Sequence, residues 1–413
     1  MNREYRKKQL RRQLINTNVD NNRSKIQVAL TKHLYIKTHK KCLIMIIVLL
    51  FLLGAGIAYG FYYQSNYFFT NYETIWETAI IEGSLVGYKP FGNNALKVTK
   101  DGVSYLDNKG KTIWTESYEM KNPTVSVNNN YAVVADKQNN NIYIYNVDGI
   151  QGHATTVYPI SKVVISSIGT VAAVLEDANS SHIMFFRKDG TPLDISITTH
   201  MAKSGYPIDI SLSDDGTQLM ASYVFFQNGE LNNRVVFYDF SEIGKNIPGR
   251  LVGGFEEQFQ GTLVGSVQFL ENPYSCVFST GGVDFFSSKN QTSPIHIAKI
   301  PVEEEIQSVF NSPEYVGIIV NNNSEDFINR IELYKKDGEL VMKRNFNFDY
   351  KEVMFNDNLI ILLNDDSCNI YNIAGNLKFC GSFDFNVSTI RKGRYHNTLV
   401  VTGPQVIKEI RLH

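Results

Sequence analysis

Short runs of alternating apolar and polar residues, each ended by a polar turn, dominate the chain after residue 83. The stretch DISLSDDGTQLMASYVFF, Asp209–Phe226, shows the pattern most clearly. Asp and Ser side chains form hydrogen bonds to neighbouring backbone groups, and Gly216 tolerates a positive φ. The sequence therefore predicts a tight turn at Ser213–Gly216. The flanking apolar residues suit half-buried strands. The stretch therefore predicts an antiparallel pair.

The same arrangement recurs eight times between residues 84 and 413. Each unit has a leading strand followed by strands joined by turns, most of which end in DG, KG or AG. The leading strands are SLVGYKPF, PTVSVN, KVVISS, PIDISLS, LVGSVQFL, EIQSVFNS, KEVMFND and NVSTIRKG. Their spacing is near the roughly 40–50 residues of a four-stranded propeller blade, and helical periodicity is absent. The pattern predicts an all-β fold, a β-propeller of eight blades with seven as the alternative.

The last unit ends at His413 before an outer strand has formed. TIWETAII, Thr74–Ile81, is a strand candidate that precedes the first unit. As the outer strand of the last blade, it would join the two ends of the ring and remove an exposed strand edge. We therefore expect these residues to close the propeller.

An uncharged apolar segment, CLIMIIVLLFLLGAGIAYGFYY, covers Cys42–Tyr63. As a helix it would extend roughly 33 Å, at about 1.5 Å per residue, which is enough to cross a hydrocarbon core of about 30 Å. A buried soluble helix and a cleaved signal peptide are the alternatives. The 41 residues before the segment favour an uncleaved membrane anchor.

The charge of the chain is divided unequally on the two sides of this segment. Residues 1–41 contain 12 Lys and Arg but two Asp and Glu, whereas the rest contains 28 and 39. Basic flanks stay in the cytoplasm, so the chain is expected to be a single-pass protein of the cell membrane with its large C-terminal domain outside. The expected domains are a basic cytoplasmic tail (1–41), a transmembrane helix (42–63), a juxtamembrane segment with the closing strand (64–82) and the propeller (83–413).

Two smaller features concern pairing. Gly56 and Gly60 match the GxxxG pattern, which permits close helix packing and a homodimer. Cys368 and Cys380 flank the turn NIAGN, so both a disulfide and two free thiols are open alternatives. The four cysteines show neither CxxC nor zinc spacing.

Two motifs resemble those of known propellers. ISLSDDGTQLMASY resembles the strand–SPDG–strand element of WD40-like and TolB-like propellers, although the WD dipeptide is absent. YLDNKGKTIW resembles the A-x-D-x-x-G-x-x-x-W repeat of quinoprotein-type propellers. The layout of basic tail, single span and propeller is similar to that of uncharacterised single-pass membrane proteins of Gram-positive bacteria. This resemblance implies a propeller ectodomain anchored in the cell envelope.

Motifs that carry chemistry are missing from the sequence. It contains no HExxH, GxSxG, P-loop or GxGxxG. A quinoprotein-like enzyme would need aromatic and cysteine elements with acidic calcium ligands, but the only tryptophans are Trp76 and Trp114, without adjacent cysteines. NDDSCN and NNNSEDF lack the spaced ligands of a calcium loop. We expect no catalytic residue, no cofactor and no metal, and no nucleic acid as a partner.

These observations favour an extracytoplasmic binding or scaffolding module for partners in the cell envelope. An envelope enzyme, quinoprotein-like or hydrolase, and a ligand sensor are the alternatives. Rigid propellers present the loops of several blades on one face, and the longest insertions here are 227–234, 243–261 and 321–330. Their acidic residues suit an envelope protein or another cationic partner. The candidate partner-binding residues are Glu256, Glu257, Glu325 and Asp326.

Overall fold

The computed structural model describes residues 3–80, 83–201, 203–227, 229–322, 324 and 326–413. The chain divides into two compact units, Met1–Tyr67 and Phe68–His413. The first contains one α-helix, α1, Arg3–Asn66. Its segment Ile44–Gln64 has a mean hydropathy of 2.6 and is long and apolar enough to cross a membrane.

The second unit is an eight-bladed β-propeller. Eight separate four-stranded antiparallel sheets form its blades, so the prediction of eight blades is confirmed and the alternative of seven is not. All eight leading strands identified in the sequence form the innermost strand of a blade, because their small and β-branched residues fit the crowded centre of the ring.

The strands are numbered along the chain, beginning with β1, Tyr72–Ala79. Blade 1 consists of β2 (Leu85–Phe91), β3 (Asn94–Thr99), β4 (Gly102–Leu106) and β5 (Thr112–Ser117). Blade 2 consists of β6 (Pro123–Asn128), β7 (Tyr131–Asp136), β8 (Asn141–Asn146) and β9 (Gly149–Thr155). Blade 3 consists of β10 (Ile160–Ile165), β11 (Val171–Glu176), β12 (Ser180–Phe186) and β13 (Pro192–His200). Blade 4 consists of β14 (Tyr206–Leu212), β15 (Gln218–Gln227), β16 (Glu230–Asp239) and β17 (Leu251–Phe255).

The second half of the ring repeats this order. Blade 5 consists of β18 (Val264–Phe269), β19 (Tyr274–Ser279), β20 (Gly282–Ser287) and β21 (Ile295–Pro301). Blade 6 consists of β22 (Ile306–Asn311), β23 (Tyr315–Asn321), β24 (Asn329–Lys335) and β25 (Leu340–Phe346). Blade 7 consists of β26 (Glu352–Asn356), β27 (Leu359–Leu363), β28 (Ser367–Asn372) and β29 (Leu377–Ser382). Blade 8 consists of β30 (Thr389–Lys392), β31 (Thr398–Thr402), β32 (Val406–Leu412) and, as its outer strand, β1.

The ring closes through blade 8. Strand β1 pairs antiparallel with β32, with Tyr72 opposite Leu412 and Ala79 opposite Val406. The prediction that a strand near Thr74–Ile81 supplies the outer strand is therefore confirmed. The strand begins two residues earlier than predicted, and Ile81 lies outside the described residues.

The quoted stretch Asp209–Phe226 forms the predicted antiparallel pair, β14 with β15. Gly216 has a φ of 69°, and its N–H donates to the carbonyl of Ser213 at 2.9 Å. A Cβ on Gly216 would lie 3.0 Å from side-chain atoms of Thr170. Glycine is therefore favoured here by its backbone conformation, and the close approach of the neighbouring blade leaves little room for a side chain.

Because the strands of each blade alternate in direction, the propeller has two distinct faces. We define the lower face as the one at which the inner strands begin, which also carries the turns between second and third strands and the connections between blades. The upper face is the one at which the inner strands end, and it carries the first-to-second turns and the third-to-outer connections. This assignment places every loop on one face or the other.

The hydrophobic core lies between neighbouring blades. Eight clusters of buried residues fill the eight gaps of the ring. Counted over the described residues, which omit 81 and 82, the cluster between blades 8 and 1 is the smallest, with four buried residues, whereas the others have eight to twelve. Its buried members are Tyr88, Leu106, Val400 and Ile407.

Candidate functional site

The polar residues of the inner strands hold the blades together. The buried carboxylate of Asp209 accepts from the Ser266 hydroxyl at 2.8 Å and from the Val267 N–H at 2.9 Å, and it pairs with the ammonium of Lys162. These partners belong to blades 5 and 3, so one side chain of blade 4 joins three blades. Ser211 repeats the contact to blade 5 by accepting from the Phe269 N–H at 2.9 Å. These polar inner positions therefore have a structural role.

The upper end of the central channel opens into a cavity. Its volume is about 740 Å³, within the roughly 300–1,000 Å³ of small-molecule sites. The ends of the inner strands of blades 1, 2, 6 and 7 line it. Its lining mixes apolar groups with amides and a few charges: Lys89, Val125, Val127, Asn129, Asn311, Glu314, Tyr315, Phe355, Asn356, Asp357 and Asn358.

The insertion 243–261 is not one loop, contrary to the expectation from the sequence. Two helical turns, Gly244–Asn246 and Pro248–Arg250, lie at the upper face. Strand β17 then crosses the outer edge of blade 4, and a third turn, Glu257–Phe259, lies at the lower face. The sequence conceals this division because two glycines interrupt the short β17, LVGGF, and leave no alternation to recognise.

The candidate partner-binding residues Glu256 and Glu257 are exposed on the connection from blade 4 to blade 5. Asp326 is exposed on the turn between β23 and β24 in blade 6, and Glu325 on the same turn lies outside the described residues. Both segments belong to the lower face. The fold therefore places Glu256, Glu257 and Asp326 on one surface, separated by the connection between blades 5 and 6.

That intervening connection carries the acidic run Glu303–Glu305, which sequence reasoning did not single out. Glu303 and Glu305 are exposed, while Glu304 pairs with Arg330 at 2.8 Å. The Arg330 hydrogen bond holds the pKa of Glu304 below its usual value. The signal available in the sequence was VEEEI, a charge run directly before an inner strand.

Further acidic residues extend this surface through blade 7. Asp349 and Asp366 are exposed on the lower face, on the connection to blade 7 and on its second-to-third turn. We name the following exposed residues the acidic arc: Glu256, Glu257, Glu303, Glu305, Asp326, Asp349 and Asp366. Within the described chain, Glu256 alone of these makes an ion pair, a 3.4 Å contact with Arg234. Exposed lysines also lie on this face: Lys351 pairs with Asp365, and Lys299 donates to the carbonyl of Gln258. The acidic arc, whose carboxylates are mostly not neutralised by them, attracts cations over a distance set by the ionic strength.

Cysteine and histidine chemistry is sparse in the described part of the propeller. Cys276, Cys368 and Cys380 are free thiols, and Cys380 is exposed while the other two are buried. His296 contacts the fully buried Asp284, with Nε2 and Oδ1 2.8 Å apart. Burial raises the pKa of Asp284. Among the residues that the structure describes, no group of three His, Cys, Asp or Glu side chains is placed to hold a metal ion.

The ring of eight four-stranded sheets, its polar channel and its two loop-bearing faces define a β-propeller of the kind that presents binding surfaces on loops. The chain belongs to a family of unknown function, DUF5711, whose profile matches residues 64–412. No curated protein has a sequence that matches the chain.

Solved structures with the same fold come from diverse organisms. Sqt1 from Chaetomium thermophilum is 13% identical with a TM-score of 0.52, and the match covers 82% of this chain and 99% of Sqt1. Apo AztD from Citrobacter koseri is 9% identical with a TM-score of 0.51, covering 74% of this chain and 88% of AztD. BamB from Moraxella catarrhalis is 11% identical with a TM-score of 0.49, and the match covers 83% of this chain and 100% of BamB. At such low identity the likeness to Sqt1 and AztD shows the propeller fold alone.

Proposed function

We propose that the chain is a single-pass membrane protein that holds its propeller outside the cytoplasm. The support is the apolar segment Ile44–Gln64 of α1 together with the 12 basic residues that precede it within residues 1–41. Positively charged flanks are retained in the cytoplasm during insertion. The N-terminal tail is then cytoplasmic and the 346-residue unit Phe68–His413 faces the cell envelope. A homodimer through Gly56 and Gly60 stays a prediction of the helix sequence.

The propeller acts in this proposal as a binding or scaffolding module. The observation that carries it is the acidic arc, in which carboxylates from blades 4 to 7 share one face of a closed ring. Most of these carboxylates lack an ion pair within the described chain, so a partner can neutralise them without displacing an internal contact. The partner is a basic protein segment or another cationic component of the envelope.

A charge-reversal experiment tests the role of the acidic arc. Glu257→Lys combined with Glu303→Lys should leave folding intact and release the partner that copurifies with the full chain from crosslinked membranes. The matched control is Asp148→Lys with Asp337→Lys, which makes the same change at exposed acidic positions of the upper face. Retention of every partner by the lower-face variant, or equal loss in both variants, would count against the proposal.

A ligand sensor is a second candidate, favoured by the 740 Å³ cavity at the upper end of the channel. Its mixed lining of amides, aromatic rings and aliphatic groups suits a small polar molecule. A sensor would transmit occupancy to a cytoplasmic partner of residues 1–41. Crosslinks from the tail that change when the propeller is saturated with ligand would favour this candidate over a scaffold.

A further inference from the structure

Arg391 has an unusual environment in blade 8. It lies on the inner strand β30 and is 7% exposed. Its cross-strand neighbour on β31 is Val400. Val400 lies opposite Glu409 on β32, and Glu409 lies opposite Trp76 on β1. These residues form one row across the blade and face the seam with blade 1.

The guanidinium of Arg391 is only partly satisfied. Its Nη1 donates to the side-chain oxygen of Asn108 at 3.3 Å, across the seam. Its Nε and Nη2 are shielded from solvent and have no hydrogen-bond partner. A buried cation without partners is unfavourable, and this burial lowers the pKa of Arg391.

The two unpaired nitrogens have a specific geometry. Nε–H and Nη2–H lie on the same edge of the guanidinium plane and point in parallel. That edge is the fork that binds the two oxygens of a carboxylate or phosphate group. The pattern of missing partners at Arg391 therefore matches one planar oxyanion group.

The surroundings of Arg391 offer space and positive charge. A cavity of about 490 Å³ lies beside it at the upper face. It adjoins the hydrophobic cluster between blades 8 and 1, which is smaller among the described residues than the other clusters. Lys109, Lys392 and Arg394 line the cavity with Arg391, against the carboxylates of Asp357 and Glu409.

Both of these acids already have partners. Glu409 accepts from the indole of Trp76 at 2.5 Å, and Asp357 lies 3.5 Å from the ammonium of Lys392. The rim residues Lys109 and Arg394 are exposed and lie on turns beside the cavity.

We propose that the cleft between blades 8 and 1 binds a small anionic ligand whose carboxylate or phosphate group bonds to Nε and Nη2 of Arg391. The cavity has more volume than one oxyanion fills, so it leaves room for a further moiety of the ligand beside Lys109 and Arg394. This site lies on the upper face and is independent of the acidic arc.

Thermal unfolding of the full chain in detergent tests the site, with inorganic phosphate and succinate as probes and chloride at matched ionic strength as the reference. A ligand that binds only the folded state raises the melting temperature in proportion to ln(1 + [L]/Kd). We expect a rise of this logarithmic form, above the chloride reference, with at least one probe. A response to phosphate alone assigns a phosphate-bearing ligand, and a response to succinate alone assigns a carboxylate.

Three variants make the test specific. Arg391→Met should melt at or above the wild-type temperature without probe, because an unpaired buried charge is removed, and should show no probe response. Arg391→Lys keeps the charge but loses the fork, so its affinity should fall at least about tenfold. Arg187→Met, which removes an exposed cation of blade 3, should respond like wild type. A response retained by Arg391→Met, equal affinity in Arg391→Lys, or no rise above the chloride reference in wild type would overturn the proposal.

Discussion

The indole N–H of Trp76 donates a hydrogen bond of 2.5 Å to a carboxylate oxygen of Glu409, 333 positions later in the chain. This bond joins strand β1 to β32, the two outermost strands of blade 8. The backbone N–H groups of Thr70 and Asn71 add bonds of 3.1 Å to the carbonyl of His413. The two ends of the propeller are therefore tied both by strand pairing and by a half-buried contact between side chains.

Removal of strand β1 should open the ring. A soluble version that begins at residue 83 leaves the edge of β32 unpaired and removes Trp76 and Phe69 from their packing sites. We expect it to aggregate or to melt at a lower temperature than a version beginning at residue 68. Thermal unfolding with light scattering measures both outcomes.

A point variant separates the side-chain bond from the strand. Trp76→Phe keeps β1 in place but removes the donor to Glu409, so the full chain should lose about 2 kcal/mol of unfolding free energy. Equal melting of the two truncated versions would show that β1 does not close the ring, whatever the effect of Trp76→Phe.

Asp209 joins blades 3, 4 and 5 and should be among the most sensitive positions of the channel. Asp209→Ala leaves the Ser266 hydroxyl, the Val267 N–H and the Lys162 ammonium without their acceptor. We expect a loss of roughly 3 kcal/mol in unfolding free energy, measured by chemical denaturation.

Lys162→Met is the matched control for this site. It removes one partner but leaves Asp209 bonded to Ser266, Val267 and the N–H of Ile210 at 3.0 Å. Its loss should be nearer 1 kcal/mol. If the two variants unfold at the same denaturant concentration, the bridge between blades is not what stabilises this part of the ring.

Local patterns in the sequence were sufficient to predict the blades. Each inner strand has small or β-branched residues and a following polar turn, as around Gly216, so eight copies were recognisable without long-range information. The closing role of Thr74–Ile81 followed from the missing outer strand of the last unit. Its bounds shifted because the bulge between Thr74 and Trp76 breaks the alternation.

The candidate surfaces were harder to predict because they depend on which loops share a face. In the sequence, Glu303–Glu305 is indistinguishable from an ordinary solvent-exposed run of charges. Only the fold shows that this run lies on the lower face between Glu257 and Asp326. In the sequence, Arg391 belongs to the short basic run RKGR, which is typical of an exposed turn. Nothing in the local sequence indicates that the seam between blades 8 and 1 buries it. The insertion 243–261 was misread as one loop because β17 lacks a strand pattern.

The proposed topology predicts which thiol reacts in intact cells. Cys380 is exposed, whereas Cys276 and Cys368 are buried and burial raises the pKa of both thiols. A small membrane-impermeant maleimide should therefore label the full chain at Cys380. Cys380→Ser should abolish the label, as detected by mass spectrometry.

The tail provides the matching control. Ser24→Cys, in a chain that also carries Cys42→Ser and Cys380→Ser, should be labelled only after the membrane is permeabilised. Labelling of Cys380 that requires permeabilisation, or labelling at position 24 in intact cells, would reverse the proposed orientation.

Site-specific photo-crosslinking of the full chain in its native membrane tests most directly whether the acidic arc binds a cationic partner. A photoreactive residue at position 257 or 303 should capture the same protein through a basic segment, and added Asp326→Lys should weaken the capture severalfold. The same residue at position 148, exposed on the upper face, should not capture that protein. Capture from position 148 alone, or capture at 257 and 303 that is insensitive to the charge reversal, would contradict the account.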